Sequence, residues 1–155
     1  MDETVEEVEI LLVEDNPADV ELTLRGLRSS HLGNRIELAR DGEEALDFLF
    51  CRGPHSGRSF DQPPRLVLLD LKLPKVDGLE VLAQVKSDPR TRAIPVVVLT
   101  SSREEKDLVE SYRLGVNSYI QKPVDFDKFS DTIRQLGLYW LLVNVPPPEN
   151  SFAGR

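Results

Sequence analysis

Apolar residues along the chain follow two rhythms that alternate. Short apolar runs occupy residues 8–13, 66–69 and 96–99, and residues 35–39 and 118–121 read as two further short strands. Between them lie longer stretches with apolar residues three or four apart, such as Val20, Leu24 and Leu27, or Leu79, Leu82 and Val85. The first rhythm belongs to strands buried on both faces of a parallel sheet, the second to amphipathic helices. Local signals bound the helices. Asn16 can cap and Pro17 can open a helix that runs to residue 28. Asp41 and Glu44 make a capping pair for residues 43–50, and Ser101 and Glu104 make another for residues 103–114, which Gly115 closes. A helix over residues 77–87 ends at Asp88-Pro89. The last helix spans about residues 125–143 and stops before Pro146-Pro147-Pro148. Residues 51–64, rich in Gly, Pro, Ser, Arg and His, read as a long loop.

Five strand–helix units imply an α/β fold, with a parallel sheet covered by helices on both faces. Ligand sites in such folds lie beyond the carboxyl ends of the strands. The first strand ends at Glu14-Asp15, the third at Asp70, the fourth at Thr100 and the fifth near Lys122, so these side chains are expected to meet at one sheet edge. Several carboxylates crowded together raise one another's pKa unless a cation compensates. Mg²⁺ suits such oxygen ligands and often recruits a phosphate oxygen. Lys122 and Thr100 suit the outer oxygens of a phosphoryl group in transfer, and Asp70 is the natural nucleophile. Each residue also has an ordinary explanation: Glu14 and Asp15 favour a helix start, Asp70 caps a loop, Thr100 ends a strand and Lys122 is solvated. Their joint placement at one edge favours the chemical reading.

Composition narrows the setting. At 155 residues the chain fits one domain, expected over residues 8–145. The formal net charge is −8, and Asp2, Glu3, Glu6, Glu7 and Glu9 gather at the start. Residues 1–7 therefore read as an acidic, solubilising tail, and residues 146–155 as a loose end. The acidic balance argues against non-specific nucleic-acid or anionic-membrane binding. The single cysteine, Cys51, excludes an internal disulfide and reads as an ordinary half-buried thiol in a reducing cytoplasm. There is no signal peptide pattern, and no apolar run nears the ~20 residues that span a bilayer.

The segments "ILLVEDNPAD", "LVLLDLKLPKVDGLEVL", "IPVVVLTSS" and "SYIQKPVD", in this order, resemble the receiver domain of two-component response regulators. The resemblance implies a flavodoxin-like (βα)5 fold with strand order 2-1-3-4-5. It implies that Asp70 accepts a phosphoryl group from a histidine kinase, with Mg²⁺ held by Glu14, Asp15, Asp70 and the backbone carbonyl of Lys72. Thr100 matches the switch hydroxyl, Lys122 its lysine partner, and Tyr119 the aromatic that turns inward with the switch. Lys122-Pro123 matches a cis peptide, and Lys72 and Ser102 fall at positions that influence hydrolysis of the acyl phosphate. Layout and the "LGLYWLLVNVPP" end look most like the stand-alone regulators of bacterial phytochrome kinases.

Two departures bear on output. The residue 51–64 insertion, with Arg52, His55 and Arg58, is either a tolerated surface loop or a partner contact. His31 and His55 lack metal-ligand spacing and read as surface residues. No effector domain follows the last helix, so output is expected from the domain's own surface. In that helix Phe126, Phe129, Ile133, Leu136 and Trp140 form the stripe expected on the sheet. Leu138, Tyr139, Leu142 and Val145 form a second apolar face. It predicts a homodimer through the last helix and the fourth helix–fifth strand surface, the alternative being a tail folded back on its own domain. Two other function classes compete. A Mg²⁺-dependent aspartyl phosphohydrolase, similar to the haloacid-dehalogenase group, needs an acid two residues after the nucleophile, where Lys72 stands. A pseudo-receiver is a pure binding module and usually lacks part of the acidic pair or the lysine. No phosphate-binding G-x-x-x-x-G-K-[ST] motif occurs.

Overall fold

The computed structural model describes residues 8–29, 35–123 and 125–148. The acidic tail, His31 and the final residues from 149 onward lie outside the described residues. Five strands, β1 (Ile10–Val13), β2 (Ile36–Ala39), β3 (Leu66–Leu69), β4 (Val96–Thr100) and β5 (Ser118–Gln121), form one parallel sheet in the order β2-β1-β3-β4-β5. This is the flavodoxin-like order expected from the resemblance. Five helices connect and cover the strands: α1 (Pro17–Ser29), α2 (Gly42–Leu49), α3 (Gly78–Ser87), α4 (Glu105–Arg113) and α5 (Phe126–Leu138). Among the described residues no helix is long and apolar enough to cross a membrane.

Alternate strand residues point to opposite faces, and two apolar layers result. Leu11, Val13, Val67, Leu69 and Val98 pack with α2 and α3 residues such as Leu46, Phe48, Leu82 and Val85. Ile10, Leu12, Leu66, Leu68, Val97 and Leu99 pack with Val20 and Leu27 of α1 and Phe129 and Ile133 of α5. The helix starts follow the sequence closely. The Asn16 side-chain oxygen accepts from the amides of Ala18 (2.9 Å) and Asp19 (3.2 Å), and Asp41 accepts from the Glu44 amide at 2.7 Å. The pair expected before α4 is different. The helix begins at Glu105, and the Ser102 hydroxyl, not that of Ser101, accepts from the Glu104 amide at 3.3 Å.

The last helix also differs in detail. After Leu138 the backbone widens into a π turn, Tyr139–Val143, closed by the Asn144 amide donating to the Tyr139 carbonyl at 2.6 Å. The i→i+5 spacing rotates the apolar stripe. Leu141 is therefore buried and Trp140 only partly so, while Phe126, expected on the sheet, is half exposed. The second apolar face is present: Leu138, Tyr139, Leu142 and Val145 are exposed.

The insertion is ordered by rings and guanidinium groups. The Arg58 guanidinium lies 3.6 Å from the Phe48 ring centroid and donates to the Phe48 carbonyl. His55, read as a surface residue, packs its ring edge-on to Phe48 at 5.1 Å and is half buried. Phe50 and Phe60 pack edge to face, with Arg90 over the Phe60 ring at 4.4 Å. Cys51 is half buried, and burial pushes its thiol pKa up.

Candidate functional site

The parallel register delivers the polar residues to one rim. Glu14 and Asp15 follow β1, Asp70 follows β3, Thr100 is the last residue of β4 and Lys122 follows β5. Because β1 and β3 are neighbours in the sheet, their acids meet: one carboxylate oxygen from each of Glu14, Asp15 and Asp70 lies within 4.8 Å of the others. The loop after β3 is held close to the strand. The Gly78 amide donates to the Leu71 carbonyl at 2.9 Å, and a Cβ on Gly78 would come within 2.4 Å of the Asp70 carbonyl oxygen. Only glycine fits there, so Asp77-Gly78 is the point where the loop turns back under Asp70 and starts α3.

Lys122 completes the cluster. Its ammonium donates to Glu14 Oε1 at 2.5 Å, Asp19 Oδ2 at 2.8 Å and Asp70 Oδ2 at 3.2 Å. Glu14, Asp70 and Lys122 are all buried, whereas Asp15 is exposed. Burial raises the Glu14 carboxyl from its ordinary range to about 7, with the Asp70 charge adding to the rise and Lys122 opposing it. Burial pulls the Lys122 ammonium down, but the hydrogen bonds it donates to Asp19 and Glu14 outweigh it, so its pKa stands above the ordinary lysine value. The ammonium binds three carboxylates, and with Asp15 the cluster sets four carboxylates against it, so the site retains net negative charge. Hard oxygen donors with uncompensated charge fit a divalent cation such as Mg²⁺.

One expectation is corrected. Among the described residues no peptide bond is cis, and Lys122–Pro123 is trans. The lysine side chain reaches all three carboxylates from the trans backbone, and trans is the lower-energy X-Pro isomer by about 0.5–1 kcal/mol.

A second polar cluster adjoins the first. Thr100 is fully buried, and its hydroxyl oxygen accepts from the Ser102 amide at 3.2 Å. The Ser102 hydroxyl donates to Asp107 Oδ2 at 2.6 Å, and the Lys72 ammonium lies 3.5 Å from the same oxygen. Asp107 holds the Lys72 pKa above its usual value. The Lys72 amide is 3.4 Å from Asp70 Oδ1. Tyr119 packs against the α2–α3 side of the sheet, with its hydroxyl buried beside Ser102 but in no hydrogen bond of good geometry; burial raises its pKa.

Asp19 and Asp107 were not singled out from sequence. Asp19 lies in the first turn of α1, one turn beyond the acidic pair, and that spacing is a usable signal. Asp107 lies in the first turn of α4, where an acid is ordinary, and nothing in the sequence marks it as buried.

Comparison with known proteins agrees with this geometry. Residues 10–134 match the response regulator receiver domain. The probable methanogenesis regulatory protein FilR2 of Methanothrix harundinacea is 49% identical over 138 residues, covering 89% of this chain and 86% of that protein. The crystal structure of the phosphorylated cyanobacterial phytochrome response regulator RcpA superposes with a TM-score of 0.85 at 40% identity, covering 92% of this chain and 100% of that one. The bacteriophytochrome response regulator AtBRR is 56% identical with a TM-score of 0.70, covering 91% and 100%.

Proposed function

The chain belongs to the response regulator receiver family, and from that premise we propose that it is a phosphoacceptor switch whose Asp70 takes a phosphoryl group from a histidine kinase. The observation that carries this reading is the gathering of Glu14, Asp15, Asp70 and Lys122 on one rim, with Thr100 ending the neighbouring strand. An Asp70 oxygen bonds to phosphorus as the N–P bond of the kinase phosphohistidine breaks, giving an acyl phosphate and a free imidazole. Glu14, Asp15, Asp70 and the Lys72 carbonyl would hold Mg²⁺. When bound, that ion offsets the charge of the carboxylates and the phosphoryl oxygens. Lys122 already contacts Asp70 and is placed to pair with a phosphoryl oxygen there. Thr100, one strand over, supplies a hydroxyl, and its movement would carry Tyr119 with it. Resemblance to RcpA and AtBRR supports a phytochrome-type kinase as the partner, and the lone thiol of Cys51 suits a reducing cytoplasm.

The output surface follows from how α4 is built. Its buried side chains are polar, Asp107 and Ser111, while Leu108, Val109 and Tyr112 face outward. With Phe126, Leu138, Tyr139 and Leu142 these form exposed apolar surface, which supports a homodimer through α4, β5 and α5. Light scattering with and without beryllofluoride tests it; a monomer in both states removes the dimer.

The decisive experiment exposes wild type and Asp70→Asn to acetyl phosphate and Mg²⁺. The expected result is one base-labile phosphoryl mass gain on wild type and none on the variant. Steady turnover of a phosphomonoester would point to a hydrolase instead, and no modification at all to a pseudo-receiver.

A further inference from the structure

The mechanism above leaves Asp107 without a role, yet it is among the few buried charged side chains of the protein. Its carboxylate is about as buried as that of Asp70, while its partner Lys72 is more than half exposed. Besides Lys72 it has the Ser102 hydroxyl, and Ser102 in turn binds Thr100 through its amide. Asp107 therefore ties three parts together: the loop after β3 that carries Asp70, the end of β4, and the first turn of α4. α4 turns Leu108, Val109 and Tyr112 outward, and this polar contact ties its N-terminal turn to the domain.

We propose that Asp107 is a positioning residue for the phosphoryl chemistry, a latch that holds the Lys72 ammonium in the resting state and releases it to a phosphoryl group on Asp70. The inference rests on Asp70 as phosphoacceptor. Lys72 is two residues from Asp70, and its amide already lies near Asp70 Oδ1. A phosphoryl group at Asp70 adds negative oxygens within reach of a flexible lysine whose ammonium is mostly in water. The competition is between one buried carboxylate and a new dianion. When Lys72 moves, Asp107 keeps a buried charge without its cation, which disfavours the resting seat of α4. Occupancy at Asp70 is thereby felt at the first turn of the helix whose apolar side faces outward.

The latch also sets the lifetime of the acyl phosphate. Hydrolysis requires a water oxygen to bond to phosphorus as the P–O bond to Asp70 breaks, restoring the carboxylate and releasing inorganic phosphate. Lys72 on the phosphoryl oxygens steadies the acyl phosphate and displaces water. Asp107 draws Lys72 away and so shortens the lifetime.

The test measures loss of the phosphoryl group after labelling with acetyl phosphate and Mg²⁺. Asp107→Asn keeps an oxygen for Ser102 but frees Lys72, and is expected to lengthen the lifetime by about threefold, the modest size fitting a largely exposed cation. Lys72→Met, a surface change, is expected to shorten it by a similar factor. In the Lys72→Met background Asp107→Asn is expected to change nothing further. Equal effects of Asp107→Asn with and without Lys72, or a lifetime unchanged in both single variants, overturn the latch while leaving the phosphoacceptor reading intact. If wild type takes no label, that reading fails first and the latch with it.

Discussion

Two lysines at opposite ends of the sheet each donate three hydrogen bonds, and they serve different ends. At the carboxyl end, Lys122 meets the carboxylates of Glu14, Asp19 and Asp70. At the amino end, Lys86 of α3 meets only neutral oxygens: the carbonyls of Arg92 (3.1 Å) and Ile94 (2.8 Å) and the side chain of Asn117 (2.9 Å). Asn117 Oδ1 also accepts from the Val96 amide at 2.8 Å, so Lys86 and Asn117 together fix the segments that enter β4 and β5. The charges respond accordingly. Lys122 is held above its ordinary pKa despite burial, whereas burial lowers Lys86 to about 8. One end of the sheet concentrates charge where chemistry can use it. The other spends an ammonium on holding backbone in place.

The comparison breaks most readily at Lys122. Lys122→Met leaves buried carboxylates uncompensated and is expected to cost ~3 kcal/mol in EDTA. Urea unfolding should show Mg²⁺ restoring a larger share of stability in the variant than in wild type. If Lys86→Met costs as much under the same conditions, the contrast between the two ends is wrong.

Glycines sharpen it next. Gly78→Ala forces a methyl against the Asp70 backbone and is expected to cost about 2 kcal/mol by overpacking. Gly57→Ala, in the insertion at the far end, meets nothing within 4 Å and should leave the denaturation midpoint unchanged. Third, Asn117→Ala removes the acceptor shared by Lys86 and Val96 and is expected to cost ~1–2 kcal/mol, with no change in phosphoryl uptake. Uptake that falls along with stability would show the amino end to be coupled to the site.

The smallest effect is one of pH. Between the folded Lys86 pKa of about 8 and the ordinary lysine value of 10.5, the folded protein binds fewer protons than the unfolded chain. Stability contributed at this position therefore rises with pH across that window. The melting temperature of wild type relative to Lys86→Met should increase from about pH 7.5 to about pH 10. A difference that stays flat removes the assigned shift.

Much of this was legible from the chain alone. The three central strands β1, β3 and β4 are fully buried apolar runs, a pattern with few other homes at four or five residues' length, and the caps at Asn16 and Asp41 mark their helices by local hydrogen bonds. The rim residues were legible because a parallel sheet brings all its strand ends to one side. Residues carried by helices were harder. Whether Asp19 points to Lys122, or Asp107 into the protein, depends on how each helix is rolled against its neighbours. The π turn after Leu138 had the same effect on the last helix: it rotated Leu141 inward and shifted Trp140 part way out.

By itself the sequence determined the order of elements, the sheet they make and the acids, hydroxyl and lysine at its rim, since these follow from apolar runs, caps and the direction of parallel strands. Only the tertiary structure decided which charges touch: Lys122 with Asp19, Lys72 with Asp107, Lys86 with Asn117. The physical reason is range. Periodicity and capping act within a turn or two of chain, whereas an ion pair is set by the packing of segments distant in sequence, down to an ångström of side-chain reach.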